Sequence, residues 1–281
     1  MPARPAVVAP PDPIPAVTTI DEVVVALDGI IAWAGPAASR LGYFAALYKR
    51  ITLAVGVAVE NGMFDDGPRM DRLDAAFASR YLDALNGHFH PHLFPKPSRS
   101  WRTTFAHATD PEPIIVQHML SGIAAHIVLD LGIASVEVAG RGGLTDLDHD
   151  FTTINAVLAG QVSSIVTDIN ELSPALAEIY AVLQQNQIFA INAAIRELRD
   201  SAWRFAHVLA FTPGFARAPV ILARDFQVSG ECGLVFDPPG LVGVLDIAVT
   251  QIAERESRDV AHNIAVLDEL AATPAPITTE L

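Results

Sequence analysis

The 281-residue sequence predicts an all-α fold, a single multi-helix bundle packed around one buried central helix, and three observations carry that prediction. Apolar residues recur at three- and four-residue spacing in segment after segment. No window alternates apolar and polar residues between hairpin turns, and no fixed repeat period appears. One stretch, PEPIIVQHMLSGIAAHIVLDLGIASVEVA at 111–139, is apolar at nearly every angle around a helix, as an element buried on most sides must be.

Taken in order, Thr19-Ile-Asp-Glu22 reads as a capping box that opens a helix to about Trp33, where Gly35-Pro36 breaks it. A second helix is expected from about Ala37 to Glu60, ended by Asn61-Gly62. Asp66-Gly67-Pro68 starts a third, with Met70, Leu73, Phe77, Tyr81 and Leu85 on its apolar face. Arg69, Arg72 and Arg80 stand at helical spacing from Asp71, Asp74 and Asp83, which predicts ion pairs along that helix. Residues 87–99 carry His88, His90 and His92 among prolines and read as a surface loop; on an extended backbone the three imidazoles would share one side and could take a transition metal.

A short helix near Trp101 leads into the 111–139 stretch, which Gly140–Gly143 closes. Thr145 caps a long helix to about Leu172, Ser173-Pro174 starts a further segment, and Ile188, Ile191, Ile195, Leu198 and Ala202 mark a helix over 186–211. Helices around 217–228, 240–255 and 258–271 follow, separated at Ser229-Gly230, Asp237-Pro-Pro-Gly240 and a charged turn. The expected domain is 18–272, between a disordered proline-rich arm (1–17) and a disordered tail (273–281).

Composition narrows the function. At 51% hydrophobic residues the chain has ample core material, and a net charge of −14 argues against nucleic acid or an anionic membrane as partner. The single cysteine excludes an internal disulfide and any Cys-x-x-Cys zinc site. The arm lacks the basic-then-apolar order of a secretory signal, and no apolar run is free enough of polar residues to read as a membrane span; a cytoplasmic protein is expected. Phosphate-binding loops, Gly-x-Ser-x-Gly elbows and His-Glu-x-x-His motifs do not occur.

The segments RLGYFAALY (40–48), RMDRLDAAFASRYLDAL (69–85), QHMLSGIAAHIVLDLGIA (117–134), DFTTINAVL (150–158) and SAWRFA (201–206) together resemble an uncharacterised actinobacterial family of helical proteins. The resemblance implies one helical domain over about 20–260, with His118, His126, Asp130, Asp150, Asn155 and Trp203 at motif positions. It implies no reaction, and the histidine-rich insert departs from its pattern.

Helical geometry selects a candidate site. His126 and Asp130 are one turn apart on one face, a spacing that presents two ligands to one ion. His118 lies roughly 12 Å from His126 along the axis, too far to share that ion. If the helices flanking Gly140–Gly143 fold back antiparallel, Asp130 falls opposite about Thr153, within roughly a turn of Asp150 and Asn155, with His149 nearer the open end. The expected metal set is therefore His126, Asp130, Asp150 and His149, an N/O site suited to zinc, iron or manganese. Asp150 and Asn155 are the candidate catalytic groups on a metal-bound water or polarised substrate. Gln117, His118 and Trp203 are further pocket candidates, with core packing the alternative for His118 and Trp203.

The His-x-x-x-Asp spacing is similar to that of helical zinc-dependent phospholipases and P1-type nucleases, whose second ligand helix and N-terminal tryptophan this chain lacks. Two readings remain open. One is a metal-dependent hydrolase or lyase acting on a small apolar molecule; the other is a non-catalytic protein binding a hydrophobic ligand or partner, with the His/Asp cluster purely structural.

Overall fold

The computed structural model describes residues 9–139, 143–176, 187–237 and 242–276, and these residues form helices with no strand among them. The elements are α1 (Ile20–Ala34), α2 (Leu41–Glu60), α3 (Gly67–Phe89), α4 (Arg99–Ala106), α5 (Ile115–Ile123), a π-helical segment (Ala124–Leu131), α6 (Gly132–Ala139), a 3₁₀ turn (Leu144–Leu147), α7 (Asp148–Leu172), α8 (Gln187–Phe211), α9 (Gly214–Phe236), α10 (Val242–Arg255) and α11 (Val260–Ala271). The all-α expectation stands.

The run from α5 through the π segment to α6 is the buried centre, packed against α2, α3, α4, α8 and α9. Its apolar residues interlock on all sides: Ala125 and Ala134 are fully buried, and Ile115 and Leu129 are each 1% exposed. Two helical runs, Leu41–Glu60 and Ile115–Ala139, are long and apolar enough to cross a membrane by length and composition, but 67% and 78% of their most apolar windows are buried inside this fold. Burial among other helices accounts for that hydrophobicity.

Local signals set the helix starts. Thr19 caps α1 by accepting from the Glu22 amide at 3.3 Å, but Glu22 does not complete the expected box. Its carboxylate turns to Thr18 instead, accepting from the amide at 2.7 Å and the hydroxyl at 2.8 Å. Asp66 caps α3 through the Arg69 amide, with Pro68 in the first turn where no amide is needed.

Several boundaries move. Helix α2 starts at Leu41, not 37, and α3 runs on to Phe89, so His88 is helical rather than in the expected loop. Ser229-Gly230 does not break α9, which continues through it to Phe236. Gly140 and most of the Asp237–Gly240 break lie outside the described residues, as does most of the segment after Pro174. From residue 9 the arm is not loose. Trp33 Nε1 donates to the Ala9 carbonyl, His90 Nε2 pairs with Pro11 O, and Asn86 brackets Ile14 through both its amide and its carbonyl. Val17 enters the core. The tail is likewise held at Ala275, whose backbone exchanges two 2.8 Å bonds with the buried Gln161 amide.

Glycines let the central run sit close to its neighbours. A Cβ on Gly132, where the π segment passes into α6, would lie 2.8 Å from the Ala202 carbonyl oxygen and 2.9 Å from Phe205 on α8. Backbone cannot yield as a side chain can. Gly132→Ala should therefore lower stability by about 1–3 kcal/mol, read as a lower urea midpoint at unchanged slope; an unaltered midpoint would contradict this packing.

Candidate functional site

The π segment carries the first pair. Its wider turn keeps His126 and Asp130 in contact, Nδ1 to Oδ2 at 3.4 Å, and both are buried. Asp130 is bound from two more elements: Arg80 Nε on α3 donates to Oδ1 at 2.9 Å, and Trp101 Nε1 on α4 donates to Oδ2 at 2.8 Å. Each carboxylate oxygen thus already accepts a strong bond. Facing a carboxylate, His126 Nδ1 is the ring nitrogen placed to donate, which leaves Nε2 as an acceptor. Burial holds the imidazole neutral, pushing its pKa down against the opposing pull of Asp130. The ring lies flat on Phe77 at 3.5 Å, with Tyr48 edge-on at 4.6 Å.

Asp150 is somewhere else. Buried at the start of α7, it accepts from the Asp65 amide at 2.7 Å, from the Asp66 amide at 3.4 Å and from Arg69 Nη2 at 2.6 Å. It thereby clasps the amino end of α3. Arg69 and Arg80, which hold Asp150 and Asp130, are eleven positions apart on α3, about 16 Å along its axis. His149 pairs with Asp65 at 3.1 Å, and donor atoms of Asp65, His149 and Asp150 all lie within 4.8 Å of one another. The fold therefore brings the expected ligands together in two separate pairs, His126 with Asp130 and His149 with Asp150. The antiparallel counting fails because α6 and α7 do not pack against one another: α6 sits mainly against α3 and α8, and α7 against α2 and α8.

Asn155, Gln117 and Trp203 have visible partners, whereas His118 Nε2 is buried with none among the described residues. Asn155 Oδ1 accepts from Arg199 Nε at 2.7 Å. Gln117 caps its own helix, accepting from the Ile114 amide and donating to Val235 O. Trp203 stacks on Phe151 at 4.2 Å. His118 is buried between Tyr43 and Phe236, its pKa pushed down to about 3 chiefly by burial and then by Arg40. His88 packs on Phe89 and Phe105 while His90 holds the arm, so the three loop histidines do not share a side. The α3 charges also pair away from their own helix: Arg69 and Arg80 as above, and Asp71 with the Ile20 amide.

A cavity of about 230 Å³ lies between α2, α3, the central run, α7 and α8. Its wall is overwhelmingly aliphatic and aromatic, including Leu47, Ile51, Met119, Leu158, Val162 and Ile195; Tyr48, Asp74, His126 and Arg199 supply its polar groups. Tyr48 Oη, Asp74 Oδ2 and His126 Nε2 are buried without a hydrogen-bond partner among the described residues, as are the nearby Thr52 and Tyr81 hydroxyls. Tyr48 Oη lies beside the Thr52 hydroxyl without reaching hydrogen-bonding geometry. Orphaned polar atoms are uncommon in protein interiors, and here three of them belong to residues that line one cavity.

Asp74 and Arg199 were not expected at a site. A signal did exist: Asp74 sits four after Met70 and three before Phe77, and Arg199 four after Ile195 and three before Ala202, each within the apolar stripe of its helix.

These features define a class first, an all-α protein with a central apolar cavity and a buried His–Asp–Arg–Trp network in one wall. The chain belongs to DUF5995, a family of unknown function, whose model matches residues 20–238. That span contains every residue of the cavity wall and stops short of α10 and α11. No curated protein and no solved structure matches the chain.

Burial, with Asp71 adding to it, pushes the Asp74 carboxyl up to about 7. The folded state then keeps a proton that the unfolded chain releases near pH 4. The stability this contributes is present below about pH 4 and is lost as pH rises through 7, a cost of about 4 kcal/mol at the upper end. Asp74→Asn should gain on the wild type steadily between pH 4 and 7 in urea unfolding, by about 2–4 kcal/mol. A pH-independent difference would mean that Asp74 titrates normally.

Proposed function

We propose that this protein binds an elongated, mostly apolar small molecule in the cavity between α2, α3, the central run, α7 and α8. The single observation that carries the reading is the combination of apolar walls with unpartnered buried polar atoms on Tyr48, Asp74 and His126. The space is large enough for a small molecule, since an apolar cavity of about 150 Å³ already takes benzene. A bound molecule with one hydrogen-bonding group at the His126 end would fill the space and supply the absent partners. His126, oriented by Asp130, is also the group placed to take a proton from such a molecule, so any chemistry on the ligand would begin there.

The test is direct. Organic extraction of the purified protein followed by mass spectrometry should release a stoichiometric lipophilic compound, or medium-chain alcohols should raise the melting temperature in proportion to ligand excess, about 2.7 kcal/mol at a hundredfold excess over Kd. Leu158→Trp and Val162→Phe, which fill the cavity, should abolish both effects while leaving the helical spectrum intact. A wild type that yields no compound and responds to no probe would end this reading.

A second reading keeps a divalent metal, at Asp65, His149 and Asp150 rather than at His126 and Asp130. What favours it is the convergence of three donor side chains within 4.8 Å; against it stands the Arg69 guanidinium 2.6 Å from Asp150. Elemental analysis of untagged protein should find about one zinc, iron or manganese per chain if the reading holds, lost in Asp65→Ala/His149→Ala. Metal-free wild type would dispose of it.

A further inference from the structure

Several cations packed into this fold have a carboxylate beside them. Lys49 lies between Asp28 at 2.6 Å and Asp268 at 2.7 Å, Arg69 bonds Asp150, and Arg80 bonds Asp130. Arg199 differs. It is 4% exposed and lines the cavity, yet no carboxylate among the described residues lies within ion-pairing distance. Its contacts are neutral: Nε donates to Asn155 Oδ1, Nη2 donates to the Phe151 carbonyl at 2.7 Å, and the guanidinium covers the Phe151 ring at 4.3 Å. Nη1 makes no hydrogen bond with a described residue.

These contacts fix the plane of the guanidinium without neutralising it. Burial pulls its pKa down to about 10, which leaves it charged at neutral pH, and the one charge opposing that shift is on its neighbour Asp200, an exposed residue. Asp74, the acidic residue of the same wall, is not among the charges acting on Arg199, nor Arg199 among those acting on Asp74. The cavity therefore has two polar places, a neutral one around His126 and a cationic one at Arg199.

We infer that Arg199 is an anion-binding residue of the cavity and that the ligand is a monocarboxylate with an apolar chain, its carboxylate on Arg199 and its chain running between α2, α3, α7 and the central run. A planar guanidinium with a free edge matches a carboxylate, and a desolvated cation gains most from a partner that is itself charged. One arginine offers one charge, which suits a monoanion better than a phosphate dianion in a wall that also carries Asp74. The inference rests on the cavity being a ligand site, as proposed above.

The experiment compares decanoate, decanol and decyl phosphate by calorimetric titration against wild type, Arg199→Lys and Arg199→Gln. In the wild type, decanoate should bind about 10- to 100-fold more tightly than decanol, the range expected for hydrogen bonds to a charged group. Arg199→Lys should keep a reduced preference, and Arg199→Gln should bind acid and alcohol alike. Equal binding of acid and alcohol by the wild type would overturn the role of Arg199 while leaving the cavity reading intact. Tighter binding of decyl phosphate would overturn the monocarboxylate. Failure of all three probes would remove the cavity reading and this inference with it. Should Arg199→Gln fail to fold, the wild-type ratio and Arg199→Lys still decide the matter.

Discussion

The Asp130 carboxylate is the interaction on which the centre of this protein depends. A charge buried in the middle of an apolar bundle is tolerable only when it is paired and hydrogen-bonded. Asp130 meets that demand by drawing one donor from α3 (Arg80), one from α4 (Trp101) and one from its own π segment (His126). Three elements distant in sequence are thereby held at fixed positions around one carboxylate. Both oxygens accept bonds, and His126, whose ring is stacked on Phe77, keeps its remaining nitrogen buried without a partner in the wall of the cavity. The π segment belongs to the same arrangement. Such insertions bulge a helix locally, and this one spans the residues from Ala124 to Leu131 that carry the pair.

A second anchor works at the periphery. Asp150 ties the start of α7 to the turn before α3 and neutralises Arg69, so α3 is fixed at its amino end by one aspartate and near its middle by another. Between those two fixed points lie Met70, Leu73, Asp74 and Phe77, all in the cavity wall. A helix restrained in this way cannot slide inward to close the void. Two such anchors oppose a collapse of α3 into the cavity, which would otherwise recover dispersion contacts.

Much of this was legible in the sequence, and the limits are instructive. Helical periodicity placed the main elements, and the all-round apolarity of 111–139 identified the central run, because both follow from local spacing. The contact between His126 and Asp130 was legible for the same reason. Joining Asp150 to that pair was not, since local spacing does not say which neighbours a helix packs against, and α7 lies against α2 and α8 rather than folding back on the central run. Arg80 illustrates the opposite error. Its spacing to Asp83 suggests a pair within α3, but the desolvated Asp130 competes more strongly for the guanidinium than a solvated neighbour does. The proline-rich arm looked unstructured by composition, yet its backbone groups find partners in Asn86, Trp33 and His90 that only the assembled fold supplies.

The two ionisable groups that interrupt apolar stripes respond to burial in different ways. Asp74 can escape its cost by taking up a proton, and its pKa of about 7 means that it does so for much of the time near neutrality. Arg199 has no such escape: with a pKa still about 10, the guanidinium remains charged inside the bundle. A neutralised acid can be accommodated by an apolar wall with modest help from hydrogen bonds. A permanent cation needs an anion, and the described residues place none within reach of Arg199. The cavity is thus electrically lopsided, neutral around Asp74 and His126 and positive at Arg199. That polarity, rather than the volume alone, sets which end of a bound molecule faces which wall.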